Sequence, residues 1–212
     1  MKVQYEKIIE SCIDEIVEEY HSMVRDTAVK LVYIMESDIQ ACLYSKILCR
    51  IRKASAELFF KAEISKELQK RLEDKDIYST VLHCEVPAGK RKHIDIGIWD
   101  EFSMNEGKNE SESYKSKKIK YAIEIKYNWQ SRLTAGLKGE MQKDIEKMRD
   151  TKVEVGYLLC FLARNFNKVT EVAAWQEFLK EKGLRQLFEG RKRRLYLISP
   201  QTCCIFRGGE WS

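Results

Sequence analysis

Apolar positions near the start of the chain follow a helical period. Ile8, Ile9, Cys12, Ile13, Ile16, Val17, Tyr20 and Val24 fall on one stripe while charged residues fill the positions between, which predicts a packing helix from residue 1 to about 26. Ile39, Leu43, Ile47 and Ile51 recur every four residues and predict a second helix from about Glu36 to Arg52. A third, shorter and more polar helix is expected over about Ala54 to Leu72. The period then drops to two: YSTVLHCEV (78–86), KHIDIGIWD (92–100) and IKYAIEIKY (119–127) are rich in β-branched and aromatic residues and read as three successive strands. Pro87, Gly89 and Lys90 to Lys92 form the turn between the first two, and NEGKNESESYKSKK (105–118) is expected to be a mobile polar loop between the second and third. A helix from about Thr134 to Arg149 follows. The strand VEVGYLLCFLA (153–163) is apolar almost without interruption, as in a strand covered on both faces. A helix from about Lys168 to Leu187 and the short strands RLYLIS and TCCIF complete an ααα-βββ-α-β-α-ββ order, so the expected fold is α/β with a central mixed sheet flanked by helices.

Composition bounds this picture without specifying it. Residues 1–212 contain 44% apolar residues, only two prolines and ten glycines, and no Pro/Gly/Ser-rich stretch that would act as a linker, so one domain is expected. Charges interrupt every apolar run of MKVQYEKIIESCIDEIVEEY, which fits neither a signal peptide nor a membrane span; a soluble, intracellular, cytoplasmic protein is expected. Seven cysteines, odd in number and irregularly spaced, read as reduced thiols, and Cys203-Cys204 has no matching CxxC or His pair that would complete a zinc site. The net charge of +5 is compatible with an anionic partner and does not single one out.

The two alternating strands carry the chemistry. In KHIDIGIWD, Ile94, Ile96 and Ile98 share one face and place Asp95 on the other with His93, Gly97 and Trp99. In IKYAIEIKY the face of Ile119, Tyr121, Ile123, Ile125 and Tyr127 is apolar, so Glu124 and Lys126 project together from the opposite side. Antiparallel pairing of these strands would set Asp95 beside Glu124. Two adjacent carboxylates call for a hard divalent cation such as Mg²⁺ or Mn²⁺ between them. An ammonium group on the same face is suited to orient water and to offset charge building on a phosphate.

Asp95 followed by Glu124-Ile125-Lys126 on the next strand resembles the D…(D/E)XK signature of the PD-(D/E)XK nuclease superfamily, and the element order from about residue 36 to 163 is similar to that family's restriction-endonuclease-like core. On this resemblance the helix at residues 1–26 and the elements at 168–207 are additions to the core. The resemblance implies a Mg²⁺- or Mn²⁺-dependent deoxyribonuclease in which Asp95, Glu124 and the carbonyl of Ile125 hold the metal and Lys126 assists the attacking water. It also implies a helical acid before the strands. Glu36 is the candidate, lying within about 20° of Leu43 and Ile47 at about 100° per residue, whereas Asp38 lines up with Cys42, Ser45 and Cys49. Ile94 stands where the family name has proline, and the polar loop from about Glu101 to Lys118 accounts for the wide separation of Asp95 from Glu124.

Several other residues have both a functional and a plain structural reading. Glu85 is a further metal contact or a solvated acid beside the basic turn, and His93 a phosphate contact or a structural histidine. The helix after the motif presents Lys138, Gln142, Lys143 and Lys147, of which Lys143 and Lys147, one turn apart, follow a nucleic-acid backbone or face only solvent. Arg193, within the run Arg191 to Arg194, binds phosphates or forms a soluble strand edge. Tyr127 and Trp129 stack on a base or pack beside the sheet. DNA is the favoured partner. A catalytically inactive nuclease-like module that binds nucleic acid or protein is the alternative, and a homodimer, through two active sites or through residues 1–30 alone, is a further arrangement the chain allows.

Overall fold

The computed structural model describes residues 4–25, 36–54, 59–61, 63–64, 66–71, 78–87, 93–99, 102–104, 114–117, 119–129, 132–181, 184, 188 and 192–212. Helix α1 (Tyr5–Arg25) and helix α2 (Glu36–Ala54) form where the four-residue apolar spacing places them. Ile39, Leu43, Ile47 and Ile51 are all buried, and burial of such a side chain is worth roughly 1.5–3 kcal/mol, so packing is what holds α2.

The helix expected over about Ala54 to Leu72 is instead broken into strand β1 (Phe59–Lys61), strand β2 (Glu63–Ile64) and a short helix α3 (Lys66–Arg71). Adjacent aromatic residues suit a pleated strand, and β1 pairs antiparallel with β3 (Tyr78–Thr80) through Phe59↔Thr80 and Lys61↔Tyr78. The first expected long strand is therefore split, continuing after Val81 as β4 (Leu82–Pro87). It is followed by β5 (His93–Ile98), β6 (Phe102–Met104) and β7 (Tyr114–Lys117). Strands β6 and β7 are antiparallel partners inside what the sequence reads as a loop, with β6 also parallel to β2; residues 105–113 and the turn at 88–92 lie outside the described residues.

Strand β8 (Tyr121–Asn128), helix α4 (Ala135–Asp150), strand β9 (Val155–Leu162) and helix α5 (Lys168–Glu181) come next. Thr134 caps α4 by accepting the Leu137 N–H at 3.3 Å. Residues 182–183 and 185–187, expected to continue α5, lie outside the described residues. The chain closes with β10 (Arg193–Ile198), β11 (Cys203–Arg207) and β12 (Glu210–Trp211).

Seven strands form one mixed sheet in the order β12-β11-β10-β9-β8-β5-β4. Strands β8, β9 and β10 run parallel and the remaining neighbours antiparallel. The fold is thus α/β. Residues of α1 and α2 pack with Ile96, Ile98, Ile123, Ile125, Leu159 and Phe161 in one cluster. Residues of α4 and α5 pack with Ala122, Leu158, Cys160, Leu195 and Leu197 in the other. Strand β9 contributes to both, as its unbroken apolar run predicts. All seven cysteines are free thiols. Among the described residues no helix is long and apolar enough to cross a membrane.

Candidate active site

A kink in the β4–β5 hairpin sets the position of Asp95. The register pairs Cys84 with Ile96 and Val86 with Ile94, so Glu85 and Asp95 stand opposite each other between those pairs. Glu85 has φ 49, a left-handed conformation that a non-glycine residue adopts only at a cost. Both strands change face there: Leu82 and Ile96 belong to the α1/α2 cluster, while Val86 and Ile94 belong to the α4/α5 cluster. The expectation that Ile94, Ile96 and Ile98 share one face is corrected accordingly, because simple alternation does not survive a positive φ. Helix α2 secures the kink, its Gln40 Nε2 donating to Glu85 Oε1 at 2.9 Å and to the Asp95 carbonyl at 2.8 Å.

Strands β5 and β8 then part. Their pairing runs from Ile98↔Tyr121 to Ile96↔Ile123 and stops, whereas β8 stays paired with β9 as far as Asn128↔Leu162. Asp95 and Glu124 are the next residues on either side of that fork. Beyond it the Ile125 backbone has no strand partner toward β5: its N–H donates to Asp95 Oδ2 at 2.6 Å and its carbonyl accepts from Lys126 Nζ at 2.9 Å. The ammonium of Lys126 also reaches Glu36 Oε1 at 3.1 Å, from the start of α2, and Asp144 Oδ2 at 3.4 Å, from α4. The fork therefore gathers Asp95, Glu124, Ile125, Lys126 and Glu36, all singled out by the sequence.

Helix α4 adds two residues with roles the sequence reading missed or misassigned. Asp144 is buried, as is Lys147, whose Nζ lies 3.0 Å from Asp144 Oδ1 and 2.7 Å from Glu124 Oε1 and donates to the His93 carbonyl. Lys147 was expected to meet a nucleic-acid backbone from the surface; it points into the sheet, and of the pair only Lys143 is exposed. The signal for Asp144 was present, since it falls on the stripe of Leu137, Met141 and Met148, where a charge has no reason to be unless it is paired.

Glu124 is 1% exposed. Its Oε1 meets Lys147 in an ion-pair contact outside hydrogen-bond geometry, and Oε2 has no hydrogen-bond partner among the described residues. A buried carboxylate oxygen left unpaired is costly unless a cation arrives. The fork thus fits a hard divalent ion with three oxygen donors: Glu124, Asp95 and the Ile125 carbonyl, whose second lone pair is available. Among the described residues no group of three or more His, Cys, Asp and Glu side chains is disposed to hold a metal ion, so the fit rests on two carboxylates and the peptide oxygen.

Burial pushes the Asp95 carboxyl up to about 6, although the Ile125 N–H and then Lys126 pull it down. Burial first, then the carboxylates of Asp144 and Asp95, push Glu124 up to about 9 against the opposing pull of Lys147. Folded, metal-free protein therefore holds a proton on Glu124 that an unfolded chain has released, so this residue's contribution to stability is lost as pH rises through about 9. Metal-free Glu124→Gln is expected to melt several degrees above the parent at pH 9 and close to it at pH 5. Calorimetric scans of both proteins check this, and a parent that melts higher than the variant at pH 9 contradicts it.

The remaining candidates are placed elsewhere or engaged otherwise. Arg193 is buried and donates to the carbonyls of Val153, Glu154 and Lys192, which corrects its assignment to a phosphate. Arg191 lies outside the described residues. The His93 side chain is exposed at the start of β5, and Glu85 is exposed and held by Gln40. Trp129 is 55% exposed and meets Tyr127 edge-on at 5.3 Å. Cys203 and Cys204 alternate along β11, the second buried. Comparison of the chain with protein-family models, curated proteins and solved structures finds no match.

Proposed function

We propose that this chain is a divalent-metal-dependent nuclease of the PD-(D/E)XK type that hydrolyses phosphodiester bonds, with DNA as the favoured substrate. One observation carries the reading: at the fork between β5 and β8, the buried, unpartnered Glu124 Oε2 lies one strand from Asp95, with the Lys126 ammonium bound to the intervening Ile125 carbonyl. Counting only strands of the seven-stranded sheet, the order from α2 to β9 is helix, three strands (β4, β5 and β8), helix, strand, which supports a restriction-endonuclease-like core. A bound Mg²⁺ or Mn²⁺ supplies positive charge against phosphate oxygens and makes water easier to deprotonate. Asp95 and Glu124 hold the ion in this reading. Lys126, steadied by Glu36 and Asp144, faces the charge that builds on the phosphate. Asp144 and Glu36 set where that ammonium points, and Gln40 sets where Asp95 stands.

Incubation of the protein with plasmid, linear duplex, single-stranded DNA and RNA, with and without Mn²⁺, tests the proposal. Metal-dependent cleavage of DNA is expected, stopped by EDTA. At limiting metal the rate is expected to fall as pH drops below about 9, where Glu124 takes up its proton, and to fall further through about 6, where Asp95 does. DNA binding without cleavage under any metal condition would point to the non-catalytic module instead.

A further inference from the structure

We propose that Lys147 is a built-in cation standing where a second metal ion would otherwise sit, so that the site takes a single divalent ion. This rests on the nuclease reading of the site and adds to it the number of metal ions and the residue that limits it.

Charge is the first ground. Among the described residues the charged groups meeting at the fork are the carboxylates of Glu36, Asp95, Glu124 and Asp144 and the ammonium groups of Lys126 and Lys147. Glu36 and Lys126 offset one another at 3.1 Å. Lys147 offsets one of the other three acids, leaving two negative charges for one divalent cation to neutralise. Glu85 is exposed and turned to Gln40, outside this set.

Geometry is the second. Two-metal phosphodiesterases place their ions about 3.5–4 Å apart, and a carboxylate that spans the two through both oxygens offers one to each. Glu124 is the acid placed to do so, with Oε2 unpartnered and Oε1 already facing the Lys147 ammonium at 2.7 Å. That ammonium is committed: it donates to the His93 carbonyl and lies 2.7 Å from Glu124 Oε1 and 3.0 Å from Asp144 Oδ1. Lys147 is itself only 8% exposed. A second ion at Oε1 would have to displace a buried cation that already has three oxygen partners, and at close range the two charges repel strongly.

Titration of the purified protein with Mn²⁺, followed by calorimetry and by electron paramagnetic resonance, tests this without reference to turnover. The parent is expected to bind one Mn²⁺ per chain with the spectrum of an isolated ion. Lys147→Met keeps the apolar stem and removes the charge; it is expected to bind two, with a spin-coupled spectrum, or to bind its ion at least about tenfold more tightly. Lys147→Arg keeps the charge and is expected to remain at one. Two coupled ions in the parent would overturn the inference and leave the nuclease reading intact, as would a folded Lys147→Met protein with the parent's stoichiometry and affinity. No Mn²⁺ binding by the parent would overturn both.

Discussion

Asp95→Asn and Lys126→Met are each expected to lower DNA cleavage by at least about 10²-fold, the scale of losing one charged group from a preorganised site. Neither should unfold the protein. An asparagine oxygen still accepts the Ile125 N–H that now goes to Asp95 Oδ2, so Asp95→Asn removes charge and leaves the strand contact. The methionine of Lys126→Met keeps the stem packed at the fork, and Asp144 retains Lys147 as its partner. The two variants are expected to fail differently. Asp95→Asn should lose Mn²⁺ affinity in a calorimetric titration, whereas Lys126→Met should bind the ion and lose turnover. Cleavage that survives both substitutions would refute the site.

The largest loss of stability is expected far from the chemistry, at Arg194. This guanidinium is 1% exposed on β10, where it pairs with Glu6 and Glu10 of α1 and donates to the Tyr157 hydroxyl at 2.7 Å. It fastens the first helix to the sheet. Arg194→Ala strands the Tyr157 hydroxyl and removes a buried stem, while Glu6 and Glu10, 42% and 30% exposed, turn to water; the stranded hydroxyl and lost packing together correspond to about 3 kcal/mol. For a chain of this length that amounts to a melting temperature lower by on the order of 10 °C. Replacing Arg193 instead costs hydrogen bonds to three carbonyls and, among the described residues, no ion pair. A loss at Arg194 below about 1 kcal/mol would mean that α1 is held by its apolar stripe alone.

Much of the site was legible because strands and helices impose periods. Alternation in IKYAIEIKY is enough to put Glu124 and Lys126 on one side, and the four-residue spacing of α2 is enough to turn Glu36 toward its buried face. The fork was not legible. Where β5 and β8 part depends on a left-handed residue at Glu85 and on a tie from Gln40 across to another element, and neither leaves a periodic trace. Lysine and arginine misled for a different reason. Their usual place is the surface, so Lys147 and Arg193 read as contacts for phosphate, and only the tertiary pairing with Glu124, Asp144 and backbone carbonyls reveals them as buried. The Ala54–Leu72 segment was misread because its many charges suggested a polar helix, while Phe59 and Phe60 favour the strand that β3 stabilises by pairing.

The most direct test of the account is anomalous diffraction at the manganese edge from crystals of the protein soaked in Mn²⁺. One strong peak is expected at the fork, within about 2.0–2.6 Å of oxygens of Asp95, Glu124 and the Ile125 carbonyl. A peak elsewhere, or none in a well-ordered fork, would contradict the assignment of these residues to a metal centre.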